Sequence, residues 1–206
     1  MMLTPTPTSG IAFAQDVDEL TLARARRGDR QAIGLLYQRF GKACYNLALR
    51  LTGNPAAAED VVQEVFVKLI DAIARYRGDA PFGAWLKRMT ANAAIDQLRA
   101  QRFRDDGDPE TVLAEISAIT DVNPDTSHDL WTLLQRLPSR ARAVLLLHEV
   151  EGYTHREMAE LFGQTESYSK SILSRSLQRL QTWLGQTVSR IESDHEDVVS
   201  PRLPAR

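Results

Sequence analysis

Apolar residues recur along most of this chain at steps of three and four, the repeat of an α-helix with one buried side. Val61, Val62, Val65, Phe66, Leu69, Ile70 and Ile73 give the clearest run, and Phe82, Trp85, Leu86, Met89 and Ala93 give the next. Upstream, Asp18 to Arg27 reads as a short helix, and Ile33, Leu36, Tyr37, Phe40, Cys44, Leu47 and Leu51 mark a longer one over Arg30 to Leu51. Thr52-Gly53-Asn54-Pro55 stops that helix and starts the next, with Asn54 as cap and Pro55 in the first turn. A second helical group begins at Asp129. Leu130, Trp131, Leu133, Leu134 and Leu137 lead to Pro138, and Ala143, Val144, Leu146 and Leu147 follow as far as Gly152. Thr154 and Glu157 have capping-box spacing before a helix over His155 to Phe162, and Gly163 closes it. A last helix is expected from about Thr165 to Leu184, with Ile172, Leu173, Leu177, Leu180 and Leu184 inward.

The pattern lapses in three places. Residues 1–17 are rich in Thr and Pro, and Ile11 to Ala14 is too short for a signal peptide or a span, so a disordered leader with an alternative start site is expected. Residues 105–127 contain Gly107, Pro109 and Pro124 and no sustained apolar repeat, which reads as a linker. Residues 186–206, of mixed charge and ending in SPRLPAR, read as a disordered tail. The sequence therefore predicts an all-α chain of two small helical domains, 18–104 and 128–185, joined by an acidic flexible linker.

Charge changes the picture. The net −2 over 206 residues argues against a basic nucleic-acid binder until its distribution is considered. From Asp105 to Gln135 there is no Lys or Arg, while Asp105, Asp106, Asp108, Glu110, Glu115, Asp121, Asp125 and Asp129 are acidic; with those eight acids set aside, −2 becomes +6. The remainder is basic. Cys44 is the single cysteine, so no intramolecular disulfide forms, which suits a reducing cytoplasm, and its place in an apolar stripe favours packing over redox chemistry.

Two polar stripes carry the candidate chemistry. Glu59, Asp60, Gln63 and Glu64 form an acidic patch beside the apolar ridge of their helix. Alone, such a patch is more often a solvated face. Arg88, Asn92, Asp96 and Arg99 fall at steps of four, four and three on the next helix, so they are neighbours on one side. Arg and Asn beside aromatic residues are the groups that read base edges and stack on unpaired bases, yet the same stripe serves equally as a surface ion-pair ladder. The C-terminal pair, a capped short helix, a Gly turn and a longer helix rich in Ser, Lys and Arg, has the layout of a helix-turn-helix. Enzymatic chemistry is not indicated. His148-Glu149 and His155 lack the four-residue His spacing of a zinc-protease helix, and no phosphate loop, cysteine cluster or nucleophile arrangement accompanies them.

The run AEDVVQEVFVKL followed by YRGDAPFGAWLKRMTANAAIDQLR resembles the second conserved region of bacterial RNA polymerase sigma factors of the extracytoplasmic-function group. LQRLPSRARAVLLLHEVEGYTHREMAELFG resembles the fourth region of the same group. The recognition helix departs from the usual Thr-Val-Lys-Ser-Arg-Leu-x-Arg-Ala, retaining Lys170, Ser171 and Arg175 but carrying Tyr168, Ser169 and Ile172 where the pattern differs. The resemblance implies a cytoplasmic, non-enzymatic transcription initiation factor without cofactor, metal or membrane insertion. Its expected partners are core RNA polymerase, promoter DNA and an anti-sigma factor. Glu59, Asp60, Gln63 and Glu64, with Phe66 supporting the ridge, would meet polymerase. Tyr76, Arg77, Phe82, Trp85, Arg88, Asn92, Asp96 and Arg99 would capture and hold the opened −10 element. Tyr168, Ser169, Lys170, Ser171, Arg175 and Arg179 would contact the −35 element. Two other classes stay open on the residues: a helix-turn-helix regulator that binds duplex DNA alone, and a sigma-like adaptor that binds partners without opening promoters.

Overall fold

Capping side chains set where the helices begin. The computed structural model describes residues 12–102, 112–114, 116 and 130–199, the side chains of 101–102 and 186–199 excepted. Asp18 accepts from the Thr21 amide at 2.8 Å and opens α1, Glu19–Arg26. Asp29 accepts from Gln31 at 2.8 Å and opens α2, Arg30–Thr52. Asn54 accepts from Ala57 at 3.1 Å and opens α3, Pro55–Ala72, which tightens into a 3-10 turn over Ile73–Arg75. These side-chain oxygens satisfy amides that lack an acceptor in the first turn. The helix α4, Phe82–Arg102, completes a first lobe in which α2, α3 and α4 pack on one another.

The second lobe contains α5, Leu130–Arg136; α6, Ser139–Glu149; α7, His155–Phe162; and α8, Glu166–Val199. Thr154 and Glu157 form the expected capping box, and Gly163 ends α7 at φ +62°. Among the described residues there is no strand. One continuous cluster of buried side chains runs from Phe40, Leu47 and Leu86 in the first lobe to Leu147, Ile172 and Trp183 in the second. The lobes are packed together through α6 on α2 and α7 on α4.

The order expected from the pattern is present, with corrections at its margins. Phe13, placed in the leader, is 4% exposed and its ring stacks 6.4 Å from that of Phe40. The Phe13 carbonyl lies where a Cβ on Gly83 would sit, so only glycine admits this approach. The partners that hold Phe13 lie far along the chain, which hides its burial from any local repeat. In the linker, Val112 and Ile116 are buried, an i, i+4 pair too brief to register as periodicity; residues 103–111, 115 and 117–129 lie outside the described residues, as do 1–11 and 200–206. The α8 backbone continues past Leu184 to Val199, into the segment read as tail. Gly185 alone costs only about 1 kcal/mol in a helix. Tyr37, Ile70, Leu130, Leu177 and Leu184, placed on inward faces by spacing, are exposed.

Candidate nucleic-acid interface

Three surfaces carry the predicted residues. On α3, Glu59, Asp60 and Gln63 are exposed, and Glu64 pairs with Lys68 one turn on at 2.5 Å. Phe66 is buried beneath them with its ring edge-on to Tyr37, centroids 4.9 Å apart. Beside the acids, Val67 and Ile70 are 66% and 52% exposed, an apolar patch that the sequence reading missed. Val67 stands off the Val61-to-Ile73 stripe, the one sign available in the sequence. A cleft of about 420 Å³ bounded by Tyr37, Lys42, Tyr45, Glu59, Val62 and Gln63 adjoins this face.

The second surface joins the loop after the 3-10 turn to α4. The Tyr76 hydroxyl donates to the Ala80 carbonyl at 2.6 Å, closing the loop, and its ring packs 5.6 Å from Phe82 and 5.2 Å from Trp85. The Arg26 guanidinium lies over the same ring at 5.6 Å. Burial raises the Tyr76 hydroxyl above its ordinary value, opposed by the Arg26 charge. Phe82 is 4% exposed, so it backs the aromatic group, while Tyr76 and Trp85 are partly accessible and Arg77 is exposed. Along α4, Arg88, Asn92 and Asp96 are exposed on one side as the spacing requires, and Arg99 joins them through a 3.4 Å pair with Asp96. This stripe faces the second lobe across a cleft of about 310 Å³ whose far wall is Tyr153, Glu157, Glu160 and Leu161. Burial pushes the Tyr153 hydroxyl up to about 12, again opposed by an arginine, Arg88. Arg99 also donates to the Leu161 carbonyl.

The third surface is the outer side of α8. Lys170, Ser171 and Arg175 are exposed, and Lys170 pairs with Glu166 at 3.4 Å. Tyr168 and Ser169, expected on the same side, are buried at 8% and 1% because they fall on the core register of Ile172 and Ser176. Ser169 donates to the Glu166 carbonyl at 2.9 Å and lies 3.0 Å from the His155 ring. Arg179 is half-buried, donates to the Ile116 carbonyl at 3.1 Å and lies 6.0 Å from the Trp183 ring. The departures Tyr168, Ser169 and Ile172 therefore lie inside the lobe, and the retained Lys170, Ser171 and Arg175 lie outside. Among the described residues no group of His, Cys, Asp and Glu forms a metal cluster, and no helix is long and apolar enough to cross a membrane.

Comparison with known proteins identifies the family of the chain. Residues 36–104 match the Sigma-70 region 2 family model, and residues 127–180 match that of Sigma-70, region 4. The chain is 30% identical to the RNA polymerase sigma-H factor of Pseudomonas aeruginosa, over 71% of this chain and 83% of that protein. It is also 30% identical to the RNA polymerase sigma factor CarQ of Myxococcus xanthus, over 80% of this chain and 96% of CarQ. The ECF RNA polymerase sigma-E factor of Escherichia coli is again 30% identical, over 71% and 83%. Among solved structures, CnrH in complex with the cytosolic domain of CnrY aligns over 83% of this chain and 99% of CnrH, at 25% identity and a TM-score of 0.48.

Proposed function

This chain belongs to the sigma-70 family of RNA polymerase sigma factors, in its extracytoplasmic-function group, and from that membership we propose that α3 docks on core polymerase while α4 and α8 read the two promoter elements. Directing promoter-specific initiation is the work of the family. The chain performs no chemistry itself: it supplies selectivity and strand opening beside a polymerase that supplies catalysis, in the cytoplasm.

The observation that carries this assignment is the stripe on α4. Arg88, Asn92, Asp96 and Arg99 lie in line beside Tyr76 and Trp85, so hydrogen-bonding and stacking groups meet along one path. Flipping a base out of the duplex costs a few kcal/mol, and stacking on an aromatic ring returns about 1–3 kcal/mol per base. On α8, Lys170, Ser171 and Arg175 suit a helix laid in the major groove, where a cation contacts phosphate and Ser or Arg reaches base edges. On α3, Asp60 and Glu64 with the exposed Val67 and Ile70 suit a docking face with an apolar centre and a charged rim. An anti-sigma factor is the expected regulator. The adaptor reading loses its motive, since the unusual recognition-helix residues are core residues.

Run-off transcription with purified core polymerase on the DNA upstream of the gene for this chain tests the assignment. A transcript that requires the chain is expected, and Asn92→Ala should reduce open-complex formation, read by permanganate footprinting, at least about tenfold more than core binding. Equal losses in both would remove the strand-capture role of α4.

A further inference from the structure

We propose that Phe13 is a positioning residue for strand capture: through Phe40 and Phe82 it braces the rings of Tyr76 and Trp85, on which an unpaired base stacks. The inference rests on the assignment of Tyr76 and Trp85 to the opened strand and names what holds those two rings in place. Phe13 lies upstream of residues 36–104, the span matched by the region 2 model, so the brace belongs to this chain's own N-terminal segment.

Five rings connect that segment to the capture surface. Phe13, 4% exposed, lies 6.4 Å from Phe40 with the two planes 18° apart. Phe40 of α2 is fully buried and lies 5.6 Å from Phe82 at 60°. Phe82 then meets Tyr76 edge-on at 5.6 Å and Trp85 at 5.7 Å. Of the five, only Tyr76 and Trp85 reach the surface. Tilted and edge-on pairs of this kind fix the orientation of a ring as well as burying it. A ring in the middle keeps its place only while both neighbours are present, because a close-packed interior answers a void with a partial shift.

The segment that carries Phe13 is itself held. The Gln15 amide donates to the Ala12 carbonyl at 3.1 Å and to the Arg39 carbonyl of α2 at 3.5 Å, and the Arg39 guanidinium donates to the Asp16 carbonyl. Ala12 and Val17 pack against the core on either side of these bonds. Gly83 stands in the first turn of α4, between Phe82 and Trp85. A Cβ there would fall 1.8 Å from the Phe13 carbonyl oxygen and 3.2 Å from the Phe40 ring. Gly83 is not among the glycines at positive φ, so the contact uses its size and not its conformational freedom. The segment therefore bears on the start of α4 twice, through the rings and through the backbone. A base stacks best on rings already fixed in the receiving orientation, so loosening Tyr76 and Trp85 moves the cost of ordering them onto capture.

Fluorine NMR of the full chain labelled with 5-fluorotryptophan tests this, paired with open-complex formation by core polymerase on a promoter that the chain opens. The chain has three tryptophans, so Trp131 and Trp183 in the second lobe serve as internal references for Trp85. Phe13→Ala should shift and broaden the Trp85 signal alone. It should lower open-complex formation about tenfold, the share that one stacked base contributes, with core binding within about twofold of the parent. Phe13→Leu refills the space and should restore both readouts. If Phe13→Ala fails to fold, Gly83→Ala is the second variant: it favours the helix by itself yet pushes the segment off α4, and it should move both readouts the same way. A lower melting temperature with an unmoved Trp85 signal would overturn the proposal and leave Phe13 a core residue only. Trp85→Ala separates the brace from the assignment beneath it. Should that variant lose open complexes while Phe13→Ala keeps them, the brace is overturned; should both keep them, the capture assignment falls and the brace with it.

Discussion

Gly53 shows how much one residue can carry. It ends α2 at φ +70°, and a Cβ there would lie 2.3 Å from Arg142 Nη2 and 2.8 Å from Cζ. Gly53→Ala should therefore cost about 1–2 kcal/mol for the left-handed backbone alone, read as a lower urea midpoint. It should also push the Arg142 guanidinium off the Thr52 carbonyl, to which it donates at 2.9 Å. Cys44 is the opposite case, a residue whose environment silences it: burial pushes its thiol up to about 11, against a weaker lowering contribution from Thr90. That agrees with the packing role expected from its stripe. The Glu64–Lys68 pair is exposed on both sides and is worth about 0.3–0.5 kcal/mol, so Glu64 is free to change partners at low cost. Much of this scale was legible. Asn54, Thr154 and Glu157 are caps because a short polar side chain precedes an apolar repeat, and that is a local property. Phe13, and Glu151 in its pairs with Arg50 of α2 and Lys87 of α4, were not legible, because the groups that bury them come from distant segments.

Among the elements, α3 and α7 give sharp tests. Asp60→Lys with Glu64→Lys should weaken core polymerase binding at least about tenfold, some 1.4 kcal/mol, with an unchanged circular dichroism spectrum; retained affinity would move the docking face elsewhere. In α7 the Thr154 amide, first, and the Thr154 hydroxyl, second, hold the Glu157 carboxyl below its ordinary value. A depressed folded-state value means that the stabilisation is present above the unfolded glutamate value, ~4.3, and is lost as pH falls through the folded one. Thr154→Ala should lower the melting temperature at neutral pH, by a cap loss of about 1 kcal/mol, and the gap from the parent should close in acid. The α8 helix taught the reverse lesson. Its start was readable, but which residues of its first turns face outward was not, since resemblance to a motif does not fix register against the lobe's own core.

For the whole molecule, the shared core matters most. Because buried side chains run without a break from one lobe to the other, urea unfolding of the parent should be a single transition. Glu151→Lys should split it in two, and a parent that already unfolds in two steps would show that the lobes are independent. The sequence by itself determined the all-α class, the helix boundaries at caps and glycines, the charge polarity and the family, because all of these are written in spacings of a few residues or in runs of residue types. Tertiary structure alone decided that Tyr168 and Ser169 face inward and that Ile70 faces outward. It also decided that Phe13 joins the core and that the two lobes close on each other through Glu151. Each of these depends on which distant surfaces meet, and a buried charge or a glycine-sized gap acquires its meaning only when its partner across the fold is in place.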